Sequence, residues 1–475
     1  MTKITKTIQC DKKMNFSDCE LEILKNAVSL AETKKGKRMV NTPEIQEMIT
    51  IVENFIKKKD LICYGGIAID ALLPEENKIY DKELELSDYD FFSPNAIEDA
   101  KELADIYNEK GYEDVEARVG AHVGTYKVFC NFIGTADVTN IPKDLFNTLK
   151  KDAVRVNGIL YVPPNFLRMS MYLELSRPEG QIDRWSKVFK RLSLINKYYP
   201  LTEKQCSTID FQRELSIKDE NHKIYETVKE TFINQGVVFF GGYAISNYSK
   251  YMPKKEQEQV KKIADFDVLS NDPKTTAEIV KERLHDIGIK NVKIVKRPPI
   301  GEIIPEQTEI RVINDVIAVI YPPLGCHSFN TIDMHGKKIK IATIDTMLSF
   351  YLAFLYANKP YYDPDRIICM AKFLFDVQQK NRLEQKGLLR RFTITCYGHQ
   401  EDVIEMREEK TRKFKELKDK KGTREYDVWF LSYNPKEPEK NKSNTQKNKN
   451  KKNKNKKSQK KIVNPYNRTK KNKYW

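Results

Sequence analysis

A short apolar stretch that ends in two glycines constrains the fold of this chain more than any other feature. Leu61 to Tyr64 are suited to a buried strand, Gly65 and Gly66 follow, and the next residues are suited to a helix. Glycines let a backbone approach a ligand closely, and the N–H groups at the start of a helix bind phosphate. The stretch therefore predicts strand, tight turn and helix, with a phosphate-binding turn at Gly65 and Gly66.

Two aspartates at alternate positions, Asp88 and Asp90, follow this stretch. Side chains two residues apart in a strand point to one face, so these carboxylates project together while Tyr89 and Phe91 face the core. Adjacent carboxylates repel unless a cation lies between them, and Mg²⁺ is commonly held by one or two carboxylates plus substrate phosphates. Taken alone, an Asp-x-Asp also fits a polar turn or a solvated edge. The apolar flanks and the Gly-Gly turn favour a metal site.

The order Gly-Gly, spacer, Asp-apolar-Asp-apolar resembles the nucleotidyltransferase superfamily. The resemblance implies a third acid from a neighbouring strand, and the candidate is Asp137 in the run Ala136-Asp137-Val138. The spacer between Gly66 and Asp88 is longer than in most members and contains a charged insertion. Three carboxylates on adjacent strands can hold two Mg²⁺ or Mn²⁺ ions about 4 Å apart.

The same pattern occurs a second time further along the chain. Gly241 and Gly242 follow an apolar run 176 residues after Gly65 and Gly66, and Asp265 and Asp267 lie 177 residues after Asp88 and Asp90. A repeat of this length indicates duplicated domains rather than a solenoid.

The third acid decides whether the second copy is also a site. If Ala136-Asp137-Val138 aligns with Ala318-Val319-Ile320, that acid is lost; if it aligns with Asn314-Asp315-Val316, it is kept. Asn314-Asp315 resembles a hairpin turn, and a turn residue would not point into the site. We therefore favour the first alignment and expect a degenerate second copy, with Asp265 and Asp267 solvated or hydrogen-bonded.

These patterns predict an α+β fold of duplicated nucleotidyltransferase-like units, each a mixed sheet with helices. The first unit is expected to be catalytic and the second degenerate, with helical additions and a disordered basic tail. The predicted segments are an N-terminal helical or loose segment (1–41), a catalytic domain (42–200), a degenerate domain (201–380), a charged helical region (381–434) and a Lys/Asn-rich tail (435–475).

The duplication and the tail narrow the resemblance to the poly(A) polymerase catalytic subunits of large and giant DNA viruses, including the poxvirus type. The run Asp183 to Leu192 is similar to a helix of the giant-virus members, and the likeness covers Thr42 to Val377. The resemblance implies a template-independent poly(A) polymerase that adds AMP from ATP to the 3′ hydroxyl of viral mRNA. It implies action in the virion and the host cytoplasm, and either a homodimer or a processivity subunit as partner. It also implies that Asp88, Asp90 and Asp137 bind the metals and that Gly65 and Gly66 hold the triphosphate.

Further candidates for nucleotide binding are Ser87, Lys127 and Lys187, and candidates for RNA binding are Lys190 and Arg191. The alternative interpretation is that Lys187, Lys190 and Arg191 form an exposed basic helix face. The opposite face of that helix would then bury Val188, Leu192 and Ile195. Trp185 is expected in the core rather than as a stacking surface.

The positive charge of the chain is concentrated at its C-terminal end. Residues 435–475 hold 15 Lys and 1 Arg against two Glu, which accounts for 14 of the 16 excess positive charges. Such a segment cannot bury a core. Its lysines, among them Lys447, Lys451 and Lys456, suit non-specific binding to RNA phosphates or a localisation signal. The alternative is a solubilising tail.

Other features exclude several protein classes. Eight cysteines without a CxxC pair, and no signal peptide, predict free thiols in a reducing compartment. No apolar run is long enough for a membrane helix. Walker, kinase and HExxH motifs are absent, and no two histidines have metal-ligand spacing. Two alternatives to a poly(A) polymerase stay open: a nucleotidyltransferase with another substrate, and a non-catalytic RNA-binding or processivity subunit.

Overall fold

The computed structural model describes residues 14–40, 42–80, 88–201, 206, 209, 211, 221–257, 260, 265–334, 336–381 and 384–435. Ser87 and the tail residues Lys447, Lys451 and Lys456 lie outside the described residues. No described helix combines the length and the apolar character needed to span a bilayer.

The N-terminal half alternates helices with short strands. Its elements are α1 (Phe16–Val40), α2 (Pro43–Lys59), β1 (Ile62–Cys63), α3 (Gly65–Leu72), β2 (Tyr89–Ser93), α4 (Ala96–Glu109), β3 (Val115–Val119), β4 (Thr125–Cys130), β5 (Ile133–Asn140), α5 (Lys143–Asp152), β6 (Val154–Val156), β7 (Ile159–Tyr161), α6 (Pro164–Leu175) and α7 (Trp185–Tyr198).

The C-terminal half repeats the order of the strands, with no helix between β12 and β13 to match α5 and with an added α10, and further elements follow. They are α8 (Asn221–Gln235), β8 (Val238–Phe239), α9 (Gly242–Tyr248), α10 (Lys254–Gln257), β9 (Phe266–Leu269), α11 (Pro273–Asp286), β10 (Val292–Arg297), β11 (Gln307–Val312), β12 (Asp315–Tyr321), β13 (His327–Met334), β14 (Lys337–Ala342), α12 (Ile344–Phe354), α13 (Pro364–Lys380), β15 (Cys396–Tyr397), α14 (Val403–Leu417), α15 (Arg424–Phe430) and β16 (Ser432–Tyr433).

Helix α2 shows how the sequence specifies the layer beneath the first sheet. The Thr42 hydroxyl accepts a hydrogen bond from the Ile45 amide, and Pro43 occupies the first turn, where its missing N–H costs nothing. One face of the helix is buried, with Ile45, Met48, Ile51, Val52, Phe55 and Ile56. Each such side chain contributes about 1.5–3 kcal/mol when fully buried, so the sheet and this helix stabilise each other.

The two sheets have the same architecture, which confirms the predicted duplication. The first has the strand order β16-β3-β4-β5-β2-β1-β7-β6, and the second has β10-β11-β12-β9-β8-β14-β13-β15. When β16 and β15 are set aside, the two orders correspond strand for strand. The register also agrees: Cys63 pairs with Phe91 in the first sheet, and Phe239 pairs with Val268 in the second.

Two elements differ from what the local sequence pattern indicates. The helical spacing of apolar residues runs from Glu20 to Thr33, with Gly36 beyond it, but α1 continues to Val40; a glycine inside a helix costs only about 1 kcal/mol. Asp427 to Tyr433 have a strand-like pattern, but residues up to Phe430 form α15, and only Ser432 and Tyr433 pair, with β3.

The prediction of free thiols is also wrong for most of the cysteines that the structure describes. Cys206 is bonded to Cys369 and Cys326 to Cys396, Cys19 is also disulfide-bonded, and Cys63 and Cys130 are free and buried. The two described pairs are 163 and 70 residues apart along the chain. Sequence spacing does not show such pairings, because they depend on the distance between cysteines in the folded chain.

A buried arginine fixes α7 against α6. Arg168 in α6 is 1% exposed; its Nε donates to Asn196 Oδ1 at 2.7 Å, and its other nitrogens donate to the Asn165 side chain and the Tyr199 carbonyl. Helix α7 therefore has a defined position beside the first sheet.

We expect Arg168→Ala to lower the free energy of unfolding by about 3 kcal/mol, because each buried polar group left without a partner costs about 1–3 kcal/mol. The matched control is Arg155→Ala, whose side chain is 51% exposed and pairs with Asp60; it should cost less than about 1 kcal/mol. Urea unfolding followed by circular dichroism measures both. Equal values for the two variants would contradict a clamp at Arg168.

Candidate active site

Two of the three predicted acids lie directly opposite each other in the first sheet. Strands β2 and β5 are parallel, and Asp90 pairs with Asp137 in their register. Opposite residues in adjacent strands project to the same face. Asp88 lies immediately before β2 and is exposed, while Tyr89 and Phe91 are buried as expected. The fold thus brings the predicted acids to one place.

Burial and mutual repulsion dominate the electrostatics of this acid cluster. Burial raises the pKa of the Asp90 carboxyl to about 7, and the neighbouring carboxylates of Asp137 and Asp88 add to the effect. Burial also raises the pKa of Asp137, although the Lys127 ammonium opposes that shift. When the pKa of a carboxyl group is raised in this way, a nearby cation stabilises its charged form.

Lys127 already supplies one such cation. It lies opposite Asp137 in the β4–β5 pairing, and its Nζ forms an ion pair with Asp137 Oδ2. Lys127 is therefore placed at the acid cluster, as a neutralising partner of the third acid.

The donor set fits a divalent metal. Asp88, Asp90 and Asp137 offer only oxygen ligands, which Mg²⁺ and Mn²⁺ prefer. Among the residues that the structure describes, the one group whose ligand atoms lie within 4.8 Å of one another is Glu179, Cys326 and Cys396. The acids are thus less tightly gathered than a closed metal site, and the two sulfurs of that other group are joined in a disulfide.

The glycine turn lies against the acids. Gly65 has a φ of +69°, which favours glycine, and a Cβ at this position would lie 2.7 Å from Asp90 Oδ2. Helix α3 begins at Gly65, and Tyr64 at its N-cap provides no side-chain cap. The backbone N–H groups of the first turn are therefore open to an anion beside Asp90.

Tyr80 covers the second glycine. A Cβ on Gly66 would lie 2.0 Å from the Tyr80 hydroxyl. That hydroxyl accepts a hydrogen bond from Arg191 Nη2 at 3.1 Å, and the Arg191 guanidinium lies 5.5 Å from the Tyr80 ring. A phosphate on Gly66 has to displace Tyr80.

A cleft of about 580 Å³ opens at this turn. Its walls include both glycines and Asp90, Arg184 at the N-cap of α7 with Lys187 and Arg191 of the helix, and, from the second half, Glu302 and Ile303. Positive side chains thus face the acid cluster across a space large enough for a nucleotide, since ligand pockets are about 300–1,000 Å³.

The predicted residues of α7 differ in whether they line the cleft, are exposed outside it or are buried. Lys187 and Arg191 line the cleft, whereas Lys190 is exposed on α7 outside its lining. The expected burial of Val188, Leu192 and Ile195 is found. Trp185 is half-buried, and its indole donates to the Glu174 carbonyl.

Sequence reasoning missed Arg184, Tyr80 and Glu302. Arg184 lies in the basic run that the sequence had singled out, so helical spacing from Lys187 and Arg191 could have found it. Nothing near Tyr80 or Glu302 along the chain signals the cleft, because tertiary packing brings both there.

The second copy has the same framework without the third acid. Strands β9 and β12 are parallel, and Asp267 lies opposite Val319, where the first copy has Asp137 opposite Asp90. The favoured alignment is correct. A Cβ on Gly241 would lie 2.0 Å from Asp267 Oδ2, so Asp267 lies against its glycine turn much as Asp90 does.

The comparisons with known proteins agree with this geometry. Residues 50–181 match the family described as Poly(A) polymerase catalytic subunit. The predicted resemblance is confirmed. The matched segment contains both glycines and all three acids of the candidate site.

Two relatives are viral proteins named as poly(A) polymerase catalytic subunits. One, from African swine fever virus, is 36% identical over 187 residues, which are 38% of this chain and 39% of the relative. The other, from Acanthamoeba polyphaga mimivirus, is 28% identical over 255 residues, 50% and 41%. The matched parts thus span about two fifths of the length of these relatives.

A solved structure shows the same fold over most of the chain. The Megavirus polyadenylate synthase has a TM-score of 0.75 and 20% sequence identity, and the match covers 90% of this chain and 88% of that one. The predicted α+β fold with two duplicated mixed-sheet units is therefore confirmed.

The raised pKa of Asp90 predicts a pH-dependent stability of the metal-free protein. The folded state binds this proton more tightly than the unfolded chain, so stability falls as pH rises from 3.8 towards about 7. In EDTA, Asp90→Asn should raise Tm at pH 8 and change it little at pH 4. The gain is at most about 4 kcal/mol, since one pKa unit is about 1.4 kcal/mol.

Thermal unfolding with and without Mg²⁺ measures this effect. Mg²⁺ should raise the Tm of the unaltered protein at pH 8 and that of Asp90→Asn much less. The control, Asp114→Asn at an exposed carboxylate, should behave as the unaltered protein does. If Asp90→Asn has a lower Tm than the unaltered protein at pH 8, the charged carboxylate of Asp90 does not destabilise the fold.

Proposed function

We propose that this chain is a template-independent poly(A) polymerase that transfers AMP from ATP to the 3′ hydroxyl of RNA. The observation that carries the proposal is the register of Asp90 opposite Asp137 with the Gly65 turn against them. The match of residues 50–181 to the poly(A) polymerase catalytic subunit family supports the choice of reaction.

In this proposal Asp88, Asp90 and Asp137 hold two Mg²⁺ or Mn²⁺ ions. When bound, such ions activate the attacking hydroxyl and stabilise the leaving pyrophosphate. The protein contributes position and charge, as is usual in phosphoryl transfer. Lys127 balances the charge of Asp137 through their ion pair.

The triphosphate of ATP occupies the glycine turn. The uncapped start of α3 supplies N–H donors at Gly65 and Gly66, and Lys187 and Arg191 supply positive charge from the opposite wall. The Tyr80 side chain moves away from Gly66 to make room for the phosphate, and its hydrogen bond with Arg191 moves with it. Lys127, Ser87 and Lys190 stay candidates for further phosphate contacts.

The second copy has a structural role in this scheme. Without an acid at Val319 it lacks the third metal ligand. It supplies Glu302 and Ile303 to the wall of the cleft, so the catalytic unit requires it to complete the substrate site. The reaction takes place in the virion and the host cytoplasm, with a homodimer or a processivity subunit as the partner.

The test is primer extension with a labelled single-stranded RNA, Mg²⁺ or Mn²⁺, and each NTP separately. We expect Asp137→Ala to lower the extension rate with ATP at least about 100-fold, as removal of a group that stabilises transition-state charge does, while RNA binding is retained. The matched control is Asp267→Ala, the equivalent strand position to Asp90 in the second copy, which should retain activity.

Each other outcome has a defined meaning. Extension with several NTPs would assign a less selective terminal nucleotidyltransferase. Unchanged extension by Asp137→Ala would remove Asp137 from the metal site. RNA binding with no extension by the unaltered protein would favour a non-catalytic RNA-binding or processivity subunit.

A further inference from the structure

An exposed pair of phenylalanines lies beside the cleft and has no role in the site described above. Phe189 of α7 is 41% exposed, and Phe392, in the segment before β15, is 40% exposed. Their ring centroids are 6.0 Å apart with perpendicular planes, and Trp185 lies 5.9 Å from Phe392. We call Trp185, Phe189 and Phe392 the aromatic platform.

The backbone presents Phe392 in an unusual conformation. Its φ is +53°, in the left-handed region that a bulky residue rarely adopts. Non-glycine residues in this region cost free energy and persist where the surroundings fix them, often at functional sites. The strain therefore needs a structural support and suggests a function.

The support is a set of contacts made by the residues just before Phe392. Arg391 donates through Nε and Nη2 to the two carboxylate oxygens of Asp345, at 3.1 and 2.6 Å, and Asp345 is 1% exposed. The buried Asn330 amide donates to the carbonyls of Leu388 and Arg390. The Arg391 guanidinium lies 4.6 Å from the Phe392 ring centroid. These contacts fix the backbone beside Phe392, while its side chain stays 40% exposed.

Basic side chains connect the platform with the cleft. Successive residues of a helix are about 100° apart, which places Lys187 and Arg191 on one flank of α7, next to Arg184 at its N-cap, and Phe189 on the other. The exposed Lys190 lies between the two flanks. Arg390, also exposed, lies next to the platform segment. A polyanion that leaves the cleft over α7 meets positive charge before it reaches the rings.

We propose that the aromatic platform binds bases of single-stranded RNA a few nucleotides upstream of the 3′ end. The phosphates between cleft and platform cross α7 at Lys187 and Lys190, and a base stacks on the open side of Phe189 and Phe392. Exposed aromatic rings next to a basic path are the usual means of holding single strands without sequence preference. The inference rests on the proposed polymerase function, because it places the 3′ end in the cleft.

The test compares a trinucleotide primer, too short to cross α7, with a long oligoadenylate primer. In the Phe189→Ala/Phe392→Gly variant, KM for the long primer should rise about tenfold, since the variant loses the rings on which a base stacks. The kcat with the long primer and the KM for the trinucleotide should not change. The single variant Phe189→Tyr, which keeps an aromatic ring, should retain most of the affinity of the unaltered protein for the long primer.

A matched control is available in Phe132. It is 82% exposed with a φ of +63°, in the turn between β4 and β5, so Phe132→Gly removes an exposed ring from a left-handed position away from α7. It should leave KM unchanged for both primers. Thermal unfolding of each variant checks its folding.

A second readout does not depend on turnover. A 2-aminopurine placed a few nucleotides from the 3′ end of the primer should be quenched on binding to the unaltered protein and less so on binding to Phe189→Ala. If the double variant extends both primers with unchanged KM, the proposal is wrong. A change in oligomeric state without a change in KM would instead assign the platform to a protein contact. Absence of extension by the unaltered protein would contradict the polymerase function and not the platform, which the fluorescence test still decides.

Discussion

Repulsion between two half-buried carboxylates is the constraint on which the first half of this protein depends. Asp90 and Asp137 lie opposite each other in parallel strands, and burial raises the pKa of both. The sheet holds them in that arrangement because their neighbours along the strands are buried in the core: Tyr89, Phe91, Ala136 and Val138. Packing around the strands therefore offsets an electrostatic cost that a bound cation would remove.

The second copy has the same strand arrangement without this repulsion between carboxylates. Its parallel strands place Val319 opposite Asp267, so an apolar side chain replaces one of the two facing acids. Sheets of the same strand order thus carry the acid cluster in one half and an apolar position in the other. The hydrogen bonds of Arg168 to Asn196 in α7 and of Arg391 to Asp345 fix the segments next to the cleft.

The sequence predicts what local pattern and periodicity determine. Alternation placed Asp88 and Asp90 on one face, and the hairpin turn at Asn314 selected the correct alignment for Val319, because both depend on neighbours along the chain. Contacts between distant segments gave no such signal. The disulfide between Cys206 and Cys369, the hydroxyl of Tyr80 over Gly66 and the strained Phe392 depend on how remote parts of the chain pack.

The most direct test of this account is a crystal structure of the protein with Mn²⁺ and a non-hydrolysable ATP analogue, read by anomalous scattering. The account predicts manganese peaks between the carboxylates of Asp88, Asp90 and Asp137, the triphosphate on the Gly65 turn, and no peak at Asp265 and Asp267. Manganese at the second copy alone, or nucleotide bound away from the Gly65 turn, would contradict it.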